Sequence, residues 1–166
     1  MKVDKIYLVG FMCAGKSTVA KALAQRLGWA FEDLDSLIEA QEQRSIAEIF
    51  AADGEAEFRK MERRLLEQLE RRREVVIATG GGTFSDSASR ALIAGDGASV
   101  WLDVSFETVL ERLPSDGKRP LASDRTTMQA LWNARRPTYS LAQLQLRADR
   151  SPVDDLVSQI LDWVEQ

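Results

Sequence analysis

A chain of 166 residues, 45% hydrophobic and 29% charged, has the size of one domain with a full apolar core. Its net charge of -4 argues against nonspecific nucleic-acid binding, and the lack of any histidine removes imidazole bases, Ser-His-Asp triads and histidine metal sites. A single cysteine forms no internal disulfide and argues against structural zinc, which points to a reducing compartment.

In chain order, Lys5-Ile6-Tyr7-Leu8-Val9 has the apolar continuity of a buried strand. It follows Met1–Asp4 with no signal-peptide pattern, and no apolar run is long enough to cross a membrane. Lys16–Leu27 predicts a helix stopped by Gly28, and Ala30–Asp33 a short strand. Ser45–Ala52 predicts a short helix opened by a Ser45/Glu48 capping box and broken at Asp53-Gly54. A long helix over Gly54–Arg72 follows, with Phe58, Met61, Leu65 and Leu69 on one stripe. Val75–Ala78 predicts a strand ending at Gly80-Gly81-Gly82, followed by a helix over Asp86–Ile93 and a strand over Ala98–Leu102. Ser105–Leu113 is a capped helix, Pro114–Arg125 is polar and irregular, and Thr126–Leu141 is a helix broken or kinked near Pro137. Leu144–Ala148 and Pro152–Val164 complete the pattern as strand and helix. The alternation predicts an α/β fold: a central, mainly parallel five-stranded sheet between helices, with ligands at the C-terminal strand ends.

Between the first strand and first helix, Gly10-Phe11-Met12-Cys13-Ala14-Gly15-Lys16-Ser17 fits G-x-x-x-x-G-K-[ST] at every fixed position. Such a P-loop turns its backbone N–H groups, here including those of Cys13, Ala14 and Gly15, toward nucleotide phosphates. Lys16 reaches the β and γ phosphates, the Ser17 hydroxyl coordinates Mg²⁺, and Thr18 is placed for the α phosphate. The motif implies a nucleoside triphosphate and Mg²⁺ and leaves the acceptor open. Should the position of Cys13 require positive φ, a residue with a Cβ carries strain there.

Other segments support two readings each. Asp33-Leu34-Asp35 is either a carboxylate pair for Mg²⁺ water and an acceptor hydroxyl, or an acidic turn capping a helix that begins near Ser36. Arg59 is either a ligand-gripping residue or part of a surface ladder with Glu55 and Glu62. Gly80–Gly82 admits a close ligand or makes a tight turn. Lys118-Arg119-Pro120-Leu121 and Arg135-Arg136-Pro137-Thr138-Tyr139 supply arginines suited to phosphoryl oxygens or a carboxylate, or simply to solvent.

The ordered set of P-loop, Asp33-x-Asp35, Gly54-Glu55-x-x-Phe58-Arg59, Gly80–Gly82, Arg119-Pro120-Leu121 and Arg135-x-Pro137-x-Tyr139 resembles the shikimate kinase family. The resemblance implies a three-layer P-loop kinase fold in one domain over 1–166, with a lid near 113–125; size and charge suggest a monomer, and the composition and N-terminal pattern a cytoplasmic protein. It implies transfer of the ATP γ-phosphoryl to the 3-hydroxyl of shikimate, a step toward chorismate and the aromatic amino acids. Asp35 would meet the ring hydroxyls and act as base, Arg59 and Arg135 would bind the carboxylate, and Gly81 would offer backbone contacts. Asp33 would organise Mg²⁺ through water, Arg119 would reach the phosphates from the lid, Arg112 would pack on adenine, and Glu62 would orient Arg59. Arg136 beside Arg135 is a second candidate for the carboxylate. The alternatives are another small P-loop kinase, such as one for gluconate, and a catalytically silent nucleotide-binding module.

Overall fold

β1 (Lys5–Val9) is buried at every position, as a strand covered on both faces must be. In the computed structural model, which describes residues 3–113 and 125–166, it lies at the middle of a five-stranded sheet. β3 (Val75–Ala78) pairs with one side of it and β4 (Ala98–Asp103) with the other. β2 (Ala30–Asp33) and β5 (Leu144–Arg147) form the edges, and every pairing is parallel. The chain thus places β2 and β3 on one side of β1 and β4 and β5 on the other. Such a reversal opens a crevice beyond the C-terminal end of the central strand.

Helices flank the sheet. α1 (Lys16–Leu27) packs on β1, β2 and β3 and against α7 (Val153–Val164). Gly28 ends α1 at φ 68°, and its N–H donates to the Ala24 and Gln25 carbonyls, a left-handed cap that glycine adopts without Cβ strain. α2 (Leu34–Glu42) packs on α3 (Ile46–Leu69), which packs on α4 (Ser87–Asp96). The Ser45/Glu48 capping box is present in both directions. The expected break also occurs: within α3, Gly54 has φ 82° and ψ 170°. The second half of α3 ends at Leu69, three residues short of the expected Arg72.

A 3₁₀ turn over Thr83–Ser85 separates the glycine triplet from α4, an element with no clear signal in the sequence. α5 (Phe106–Arg112) is capped by Ser105. α6 (Arg125–Tyr139) runs through Pro137 instead of breaking there, and Ser140 N–H still reaches the Arg136 carbonyl at 3.0 Å. Pro137 lies in the last turn, so its missing N–H costs one bond near a helix end that frays in any case.

Candidate active site

The C-terminal strand ends surround a cavity of about 850 Å³, lined by the loop after β1, the start of α2, the middle of α3, the glycine triplet and Arg135 of α6. Its construction begins with the loop. Gly10 has φ 144°, and a Cβ there would meet the Leu102 carbonyl oxygen at 2.8 Å, so only glycine fits. Cys13 does sit at positive φ, 62°, in the left-handed region that costs a side-chain-bearing residue about 1 kcal/mol or more. Gly15 at φ 93° leads into α1, whose first residues Lys16, Ser17 and Thr18 line the cavity. Lys16 Nζ is nearly buried and donates to the Gly10 and Phe11 carbonyls, both at 2.8 Å.

Asp33 caps α2, one of the two readings raised for it, and also holds the Ser17 side chain. Its Oδ1 accepts the Ser36 N–H at 3.1 Å and caps α2, while Oδ2 accepts the Ser17 hydroxyl at 2.5 Å. Because the chain turns into α2 at once, Asp33 and Asp35 do not share one extended strand face. Asp35 instead stands in the first helical turn, and its Oδ1 lies 2.8 Å from where a Cβ at Gly80 would be. A side chain at Gly80 would displace that carboxylate.

The other end of the cavity is cationic. Arg59 donates from Nη1 to Glu62 and from Nη2 to Glu55 at 3.2 Å, with its guanidinium 5.3 Å from the Phe58 ring centroid. Burial works against the Arg59 charge, but Glu62 and Glu55 outweigh it and hold its pKa above the ordinary value. Glu62 has no exposed surface and also accepts the Thr83 hydroxyl. Burial pushes its carboxyl above the usual range, against the pull of Arg59 and Thr83. Arg135, 6% exposed, reaches the same place from α6, with its guanidinium 5.9 Å from the Phe11 ring centroid. A Cβ at Gly82 would collide with the Arg59 guanidinium and lie 2.9 Å from Arg135 Nη2. Two guanidiniums on separate helices therefore converge over one bare glycine, an arrangement suited to a planar anion. Tyr139 donates its hydroxyl to the Gly81 carbonyl; burial pushes its pKa up to about 12, against the pull of Arg135.

At the loop's far side, Arg112 Nη1 donates to the Cys13 carbonyl at 3.1 Å and Nη2 to the Asp149 carbonyl at 3.2 Å. The Asp149 carboxylate accepts the Ser105 N–H at 2.6 Å and the Thr108 hydroxyl at 2.8 Å. The segment after β5 is thus tied to both ends of α5, and Ala148, Ser151, Val153 and Leu156 line the cavity beside Arg112. Ala14, Gly15, Ser17, Thr18 and Gly81 line it as well. Arg136 does not: it pairs with Asp103. Arg119 and nearly all of the segment expected as a lid lie outside the described residues.

Sequence reasoning passed over Thr83, Asp149 and Phe50, and read Phe58 only as part of a core stripe and a motif, although Phe50 and Phe58 both line the cavity. Thr83 directly follows the triplet, which is the one signal that could have singled it out. Phe58 has the spacing of an ordinary core residue and is 4% exposed; its place at the cavity depends on the Gly54 break.

A family model described as shikimate kinase matches residues 12–165. The shikimate kinase of Sulfurihydrogenibium sp. is 40% identical over 165 residues, covering 99% of each chain. The solved structure of shikimate kinase from Acinetobacter baumannii in complex with shikimate aligns with a TM-score of 0.93 at 34% identity, over 99% of this chain and 94% of that one. A gluconokinase from Sinorhizobium meliloti aligns with a TM-score of 0.62 at 17% identity, over 98% of this chain and 91% of that one, a likeness of fold alone. Matched from the P-loop to the last helix, the chain belongs to the shikimate kinase family.

Proposed function

We propose that the chain phosphorylates the 3-hydroxyl of shikimate with ATP, giving shikimate 3-phosphate and ADP. The observation that carries this reading is the convergence of Arg59 and Arg135 over Gly82, in the same cavity as the P-loop and Asp35. A carboxylate held by two guanidiniums would be fixed in plane as well as in place. An acceptor pinned there would have its hydroxyls between the cationic end and the phosphate loop, near Asp35. The relative from A. baumannii, solved with shikimate, supports that choice of acceptor.

Phosphoryl transfer asks for alignment and charge neutralisation more than covalent help. Lys16 is assigned to the transferring and leaving oxygens, and the loop N–H groups from Cys13 to Thr18 to the remaining phosphate oxygens. Asp35 is assigned to orient the acceptor hydroxyl and take its proton. With no histidine in the chain, a carboxylate is the natural base. Gly81 is assigned a backbone contact with the acceptor, and Arg112 the adenine face. Arg119 is proposed, on the family resemblance alone, as a further cation on the phosphates.

The Ser17 hydroxyl and Asp33 carboxylate form an oxygen pair beside the loop. Mg²⁺ is commonly held by so few protein oxygens, with phosphates and water completing its shell. When bound, Mg²⁺ would neutralise charge on the β and γ oxygens. Ser17 would hold it directly and Asp33 through water.

No helix among the described residues is long and apolar enough to cross a membrane; the enzyme is proposed, on its composition and family resemblance, as a cytoplasmic single-domain monomer. The test is the product itself: phosphorus NMR and mass analysis after incubation with Mg-ATP and shikimate. A phosphate ester on the 3-oxygen is expected. An ester elsewhere would overturn the assignment of Asp35 to that hydroxyl.

A further inference from the structure

α6 carries two adjacent arginines that point to different surroundings. Arg135 lines the cavity, whereas Arg136, about 100° further round the helix, does not. Arg136 meets the end of β4 instead. Its Nη1 donates to Asp103 Oδ1 at 2.5 Å and its Nη2 to Oδ2 at 3.2 Å, a two-bond fork on one carboxylate. Its guanidinium carbon lies 4.5 Å from the Trp132 ring centroid and 5.1 Å from that of Trp101. Trp132 is itself anchored, since its Nε1 donates to the Val104 carbonyl at 3.2 Å.

These contacts fix an angle as well as a position. A carboxylate at its edge and two indoles about it leave the Arg136 guanidinium little freedom to turn. Both Asp103 and Trp101 belong to β4, a central strand of the sheet. The grip therefore ties the rotation of α6 about its axis to the sheet. The angle matters one residue earlier: turning the helix by about 15° would sweep a guanidinium roughly 8 Å from the axis through some 2 Å, enough to spoil a bidentate contact. Tyr139, one turn after Arg135, donates to the Gly81 carbonyl and packs its ring tilted against Trp101 at 5.9 Å between centroids, so the same strand also steadies the cavity side of the helix.

We infer that Arg136 is a positioning residue for acceptor binding: its fork to Asp103, flanked by Trp101 and Trp132, aims Arg135 at the acceptor carboxylate. The inference rests on the proposal that Arg135 grips that carboxylate, and it adds a residue outside the cavity to the determinants of acceptor affinity.

The test is a kinetic double-mutant cycle between Arg136 and Arg135, with ATP and shikimate varied separately. Arg136→Gln should raise the KM for shikimate roughly tenfold, with the KM for ATP and kcat within about twofold of wild type. Arg136→Lys should not restore affinity, because an ammonium has no fork and stacks poorly. In an Arg135→Ala background, Arg136→Gln should add no further rise, since no guanidinium is left to aim. Should Arg136→Gln fail to fold, Asp103→Asn keeps the shape of the partner and should give the same split. An unchanged KM for shikimate, equal damage to both substrates, or an additive effect in the Arg135→Ala background would each overturn the inference. The wild-type control separates the two levels. Wild type that ignores shikimate overturns the activity, whereas active wild type with unaffected Arg136 variants overturns the positioning role.

Discussion

Two buried ionic clusters sit at opposite ends of the sheet and do different work. At the N-terminal end, Lys5 Nζ donates to the Leu69 carbonyl at 2.7 Å, the Glu70 carbonyl at 3.2 Å and Asp96 Oδ2 at 2.5 Å, which uses all three ammonium protons. Asp96 also takes the Tyr7 hydroxyl, and Arg73 approaches its other oxygen. Burial, helped by Asp96, raises the Tyr7 pKa far above its ordinary value. Every group in this cluster is answered by another part of the chain, so it holds the end of α3 and the end of α4 to β1. At the C-terminal end, Glu62, Thr83 and Arg135 are buried and Arg59 is nearly so, but Arg59, Glu62 and Arg135 open onto the cavity, and the two guanidiniums meet over a glycine with no side chain of its own. On the proposed function the difference separates stability from binding: breaking the closed cluster should cost folding free energy, and breaking the open one should cost affinity.

The contrast can be broken at either end. Lys16→Met should nearly abolish turnover with the melting temperature close to wild type; wild-type rates would refute the role given to the P-loop. Asp35→Asn should lower kcat by roughly 10²–10⁴, and a near-normal rate at saturating substrates would remove Asp35 from the chemistry. Asp96→Ala strands the Lys5 charge, which is 0% exposed, and should cost about 3–5 kcal/mol of stability in denaturant melts. The fraction that remains folded should keep its KM for shikimate; a raised KM would deny the division between the clusters. Arg59→Ala should show the reverse pattern, losing about 2–5 kcal/mol of acceptor binding while ATP binding stays unaltered. Unaltered shikimate affinity would count against its role.

The smallest effect concerns Asp149. Burial would raise its pKa, but the Ser105 and Thr108 bonds outweigh that and hold it below the ordinary carboxylate value. With the folded pKa below the unfolded one, its contribution is complete above the ordinary range and is lost as pH falls through the folded value. The melting temperatures of wild type and Asp149→Asn should therefore converge below roughly pH 4. A gap that persists in acid would assign the effect to shape instead of charge.

Local chemistry made much of this molecule legible in its sequence. The P-loop, the Ser45/Glu48 box, the Gly28 cap and the break at Gly54 depend on neighbours within a few residues, and each stands where its residues predict. The positive φ of Cys13 was only a condition in the sequence, and the fold meets it. The Arg135/Arg136 ambiguity needed Asp103, 33 residues away along the chain. The Lys5–Asp96 pair spans 91 residues, and nothing local to either residue signals the other. Strand order is also set by packing between distant segments. Asp33 shows a third kind of difficulty: the cap on α2 was legible from spacing, but its second oxygen accepts the Ser17 hydroxyl, 16 residues away, a bond no local pattern signalled.

The central claim is that the converging guanidiniums select a shikimate carboxylate and present its hydroxyl to ATP. The most direct test is ADP release from Mg-ATP with shikimate, with gluconate and with no acceptor. Release should depend on shikimate, with little in the other two. Release that depends on gluconate alone would keep the phosphate loop and contradict the acceptor. Nucleotide binding without release in any of the three would contradict the kinase activity itself.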